Sequence, residues 1–143
     1  MNKLSALLAL LLATAPGTAL SQAVPEGVHR DASGPFEMCG FAATDVADLK
    51  AKVRESERFQ QTPIDTDRFE LYSASDPLQQ ITFTNSSEAA YPAVTCRHLY
   101  EEDGRLRMAR SMRCDAGREE CDALFIEFRE LDAQMTRSLQ GRD

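Results

Sequence analysis

Four cysteines, Cys39, Cys96, Cys114 and Cys121, constrain this chain more than any other feature, because what they can become depends on the compartment the chain reaches. The first residues speak to that. Lys3 gives a positive start, Leu4 to Ala15 is an apolar run as long as a signal-peptide core, and Ser21-Gln22-Ala23 offers the small-x-small pattern that signal peptidase accepts. The run is too short to span a bilayer, which takes about 20 residues. The first cysteine lies too far downstream for lipid attachment. Residues 1–23 therefore read as a signal peptide, with Val24 as the mature N-terminus and a periplasmic or secreted destination. Such compartments permit disulfides.

Residues 24–38 mix Pro, Gly and polar residues without periodicity and read as a flexible lead that carries His29. The rest, 39–143, has the length of one domain. After Thr44 and Asp45, the apolar positions Val46, Leu49 and Val53 recur at helical spacing and predict a helix over 44–58. Phe69, Leu71 and Ser73 alternate with Arg68, Glu70 and Tyr72, and Gln80 to Thr84 alternate again, which predicts two strands. Ala93 to Glu101 and Arg105 to Cys114 flank Glu102-Asp103-Gly104, a hairpin signal. Cys121, Leu124, Phe125, Phe128, Leu131, Met135 and Leu139 mark a final helix over 118–139. Leu124, Phe128 and Leu131 should be buried under it. The expected fold is α+β, in the order α-β-β-β-β-α: a four-stranded, mainly antiparallel sheet covered by the C-terminal helix, with the first helix at its edge.

The hairpin register bears on the cysteines. A plain two-residue turn at Asp103-Gly104 would set apolar residues opposite polar ones, Tyr100 opposite Arg107 among them. A three-residue loop with Gly104 as a bulge pairs Tyr100 with Leu106, His98 with Met108, Cys96 with Arg110 and Val94 with Met112. That parity gives a single buried face and is the register expected. It separates Cys96 from Cys114 by more than a disulfide can span. Cys114 ends a strand shortly before Cys121 begins a helix, so the predicted bonds are Cys114 to Cys121 and Cys39 to Cys96. Zinc held by Cys96, His98, Cys114 and Cys121 is the competing reading, but the spacing fits no common zinc module. No metal and no cofactor are expected.

Catalytic signals are missing. There is no Cys-x-x-Cys, nucleophile elbow, P-loop or dinucleotide fingerprint, and only two histidines, His29 and His98. A formal charge of −7 argues against nucleic acid as a partner. The unusual feature is a run of arginine: Arg97, Arg105, Arg107, Arg110, Arg113 and Arg118 stand against Glu101, Glu102, Asp103 and Asp115. In the expected register Arg97, Arg107 and Arg113 share one face and form an anion-binding candidate, since guanidinium forks suit carboxylates and phosphates. The functional expectation is a small exported binding protein without catalytic activity, an inhibitor or immunity-type partner of an envelope enzyme. The alternative is an envelope module whose basic stripe docks on anionic lipid or cell wall, and an enzyme using His98 comes last. A protein partner in the envelope is expected, with no transmembrane segment in the mature chain.

Overall fold

A computed structural model describes residues 28–29 and 34–140; the predicted signal peptide lies outside them. The element order is β1 (Val28–His29), β2 (Phe36–Met38), β3 (Phe41–Ala43), α1 (Val46–Glu55), β4 (Gln60–Thr62), β5 (Phe69–Ser75), β6 (Leu78–Thr84), β7 (Ala93–Glu102), β8 (Arg105–Cys114) and α2 (Arg118–Gln140). The class is α+β. Among the described residues no helix is long and apolar enough to cross a membrane.

The sheet is larger than expected. β4 to β8 form an antiparallel meander, and β1 adds a parallel strand beside β8, giving the order β1-β8-β7-β6-β5-β4. β2 and β3 make a separate two-stranded sheet around Cys39-Gly40, both residues with positive φ. Residues 36–38, which composition placed in the lead, are thus a strand, with Met38 in the core.

α1 starts where its caps dictate. The Asp45 side chain accepts from the Asp48 amide at 2.8 Å, while Asp48 accepts in turn from the Thr44 amide at 2.9 Å. Lys52 and Arg54 occupy its last turn, at the negative end of the helix dipole. Val46, Leu49 and Val53 are buried against Ile81, Phe83, Val94 and Cys96. The first helix therefore covers a face of the sheet and not its edge. α2 covers the opposite face through Leu124 and Phe128, which join Ala90, Ala93 and Met112 in a second core. Leu131, expected in that core, is 42% exposed, because α2 leaves part of this face uncovered.

Two-sided burial overturns the expected hairpin register. β7 and β8 pair Glu102 with Arg105, Tyr100 with Arg107, Cys96 with Ser111 and Val94 with Arg113. Asp103 and Gly104 form a two-residue turn at φ 53° and φ 70°, the pair of positive values that a type I′ hairpin requires. Parity selects the longer loop only where one face is wet; with a helix on each side, both alternating sets of β7 are buried from Ala93 to Arg97. Val94 and Cys96 face α1, and Ala93 and Thr95 face α2.

The two disulfides divide the same way. Cys39 is bonded to Cys96 on the α1 side, with Cα atoms 5.8 Å apart, and Cys114 to Cys121 on the α2 side, at 5.9 Å. These are the two pairings read from the sequence.

Candidate functional site: a groove beside the C-terminal helix

The three arginines of the expected stripe do not share a face. Direct cross-strand partners point the same way, so the pairing of Val94 with Arg113 and of Tyr100 with Arg107 puts Arg107 and Arg113 on the α1 side. Arg97, opposite Arg110, points to the α2 side. Arg107 is exposed and pairs with Glu102 at 3.3 Å. Arg113 is buried, ion-paired with Asp115, and its guanidinium lies 5.0 Å from the Phe36 ring centroid. The exposed stripe is replaced by one buried pair, Arg97 and Arg110, under α2.

These two arginines share a single carboxylate. Arg110 takes it bidentately, donating from Nε and Nη2 to the Asp132 oxygens at 2.7 and 2.6 Å. Its Nη1 donates to Thr95 Oγ1 at 2.8 Å, and its guanidinium stacks 4.4 Å from the Phe128 ring centroid. Arg97 reaches the same carboxylate only at 3.7 Å. It donates from Nη2 to Gln80 Oε1 and from Nη1 to the Met135 sulfur. Its Nε has no hydrogen-bond partner, although the residue is only 9% exposed. Burial, and then the neighbouring charge of Arg110, push the Arg97 pKa below its ordinary value against the pull of Asp132. It stays a cation, since guanidinium does not lose its proton in proteins.

Arg97 and Arg110 line one end of a groove of about 380 Å³ between α2 and the uncovered half of the sheet. Gln80 and Thr82 of β6 and Phe69 and Leu71 of β5 form its floor. Phe128, Leu131 and Gln134 of α2 form its wall, and Ile64 stands at the far side. The volume falls within the usual range of small-ligand sites, about 300 to 1,000 Å³. The helix is anchored at both ends of the groove. At one, Arg110 holds Asp132; at the other, Arg68 holds Glu127 through two bonds of 3.0 and 2.9 Å and Glu88 at 2.6 Å. Hydrogen bonds from Arg68 to Glu127, then to Glu88, raise the Arg68 pKa well above its ordinary value.

The residues named from sequence are thus only partly brought together. Arg97 alone of the three belongs to the groove. Arg110 belongs to the arginine run but not to the expected stripe, and Asp132 and Gln80 are not marked by any motif; the signal that could have found them is the arginine–aspartate–methionine set converging once Arg97 is assigned to the α2 face. His98 stacks on Tyr100 at 5.5 Å between ring centroids, away from the groove. Among the described residues no group of three or more His, Cys, Asp or Glu side chains could hold a metal ion. No protein family, curated protein or solved structure matches the chain.

Proposed function

We propose that this chain is a small exported binding protein of an oxidising compartment, which works by holding a ligand and not by turning one over. The observation that carries the reading is Arg97: a buried guanidinium at the end of a groove, with half of one carboxylate for its charge and no partner for Nε. An unpaired donor on a buried ion costs far more than one on the surface, so a site built this way favours occupancy by an anionic group. The two disulfides support an extracytoplasmic location, periplasmic or secreted, because both would be reduced in an ordinary cytosol.

Thermal unfolding as chloride is replaced by acetate at constant ionic strength tests this reading. A ligand that binds only the folded state raises the melting temperature by mass action. The wild-type protein should gain stability as the anion is raised, and Arg97→Gln should not. Equal responses from the two proteins would refute the reading.

A further inference from the structure

We infer that the groove is built for an amphipathic monocarboxylate, a single carboxylate on an unbranched apolar chain of medium length, with the carboxylate at Arg97 and the chain lying across β6 and β5 toward Ile64. This inference rests on the binding reading above and names its ligand.

The charge of the site sets the charge of the ligand. Arg97, Arg110 and Asp132 leave one positive charge uncompensated at the buried end. A monoanion balances that charge, whereas a phosphate or other dianion would leave an excess negative charge in a desolvated place. Geometry favours a carboxylate among monoanions, because a guanidinium presents parallel donors that match its two oxygens. Arg110 already holds Asp132 in this way, whereas Arg97 meets that carboxylate only at 3.7 Å, spends its two Nη atoms on the neutral acceptors Met135 and Gln80, and leaves Nε unpartnered.

The groove floor sets the body of the ligand. Arg97, Gln80 and Leu71 lie on β7, β6 and β5, and all three point to the α2 side: Gln80 pairs with Arg97, and Leu71 with Thr82 two residues further along β6. Neighbouring strands are about 4.8 Å apart, so the floor runs from a cation to an apolar wall over about 10 Å. Phe69, Leu71, Leu131 and Ile64 supply that apolar end, and the last two are large apolar residues left exposed beside the groove. Glu127 lines the groove but is engaged by Arg68. Glu130 lines it on the exposed outer wall, where water and salt screen its charge from a carboxylate at the buried end.

Isothermal titration of the disulfide-bonded protein with octanoate, butyrate and 1-octanol tests the assignment. Octanoate should bind at least about tenfold tighter than either butyrate, which has the head without the chain, or octanol, which has the chain without the charge. Arg97→Gln should lose at least about tenfold for octanoate and little for octanol. Leu131→Gln, which removes apolar surface at an exposed position without adding charge, should weaken octanoate more than butyrate. Octanol binding as tightly as octanoate, or Arg97→Gln binding octanoate as wild type does, would overturn the inference. Arg97-dependent binding of butyrate that fails to strengthen with chain length would also overturn it, while leaving the anion-binding reading in place. Absence of Arg97-dependent binding by any of these acids would remove both.

Discussion

Arg97 and Asp132 sit in the same cluster, yet replacing them should have opposite effects on stability. Arg97→Met removes an ion whose desolvation is poorly repaid, so unfolding in urea should show no loss, or a gain of up to about 2 kcal/mol. Asp132→Asn leaves two neighbouring guanidinium groups without their carboxylate and should cost about 3 kcal/mol. The other face carries an acid-sensitive counterpart. Burial opposes the ionisation of Glu70, but Lys50 at 2.7 Å, Arg54 at 3.0 Å and the Tyr72 hydroxyl outweigh it and hold the carboxyl below its ordinary value of 4.5. A carboxyl with a depressed folded pKa contributes stability above its unfolded value, and that contribution disappears as the pH falls through the folded value. Wild type should therefore melt above Glu70→Gln at neutral pH, and the difference should close on acidification below about 4.5. Composition marks the arginine run as unusual, but an arginine reveals little until the face it points to is known. A strand that alternates polar and apolar residues usually has a wet side, which would set Arg97 and Arg113 together on an exposed stripe; this sheet has cover on both.

Phe128 and Leu131 lie one turn apart on α2 and should differ sharply on truncation. Phe128 is buried, 5.7 Å from Phe69 between ring centroids and under the Arg110 guanidinium, so Phe128→Ala should cost about 3 to 5 kcal/mol. Leu131→Ala should cost less than about 1 kcal/mol, since its side chain lines an open groove. The disulfides should differ as well. Replacing Cys39 and Cys96 together by Ser opens a link across 57 residues and should cost about 4 kcal/mol, against about 2 kcal/mol for Cys114 and Cys121, separated by 7. Denaturant unfolding of the two double variants measures both. Elements with several repeats of one period were legible in the sequence: α2, α1 and the long hairpin all declare themselves. β2, β3 and β4 did not, because three residues contain too little alternation to stand out from a loop. The tight turn at Asp103-Gly104 was visible, but its register was misjudged for want of the second helix-covered face.

Across the whole molecule the sheet is unequally clothed. α1 and the small β2–β3 sheet close one face, while α2 covers only part of the other, and the groove is the strip left between the helix and β5. No local pattern in the sequence encodes that strip, because it depends on where a helix lands and not on what either wall contains. The connectivity is simpler. From β4 to β8 every strand hydrogen-bonds its neighbour in sequence, whereas the described residues before α1 are tied to the later half of the chain by β1 beside β8 and by Cys39 bonded to Cys96. Short-range pairings form without a long conformational search, and distant ones must await them. In pulse-labelled hydrogen exchange during refolding, the amides of β5 to β8 should gain protection before those of β2 and β3, with simultaneous protection arguing against this order. The meander thus acts as a template on which the N-terminal segment settles, so a chain emerging N-terminus first must hold that segment in waiting until its partners, synthesised last, have arrived.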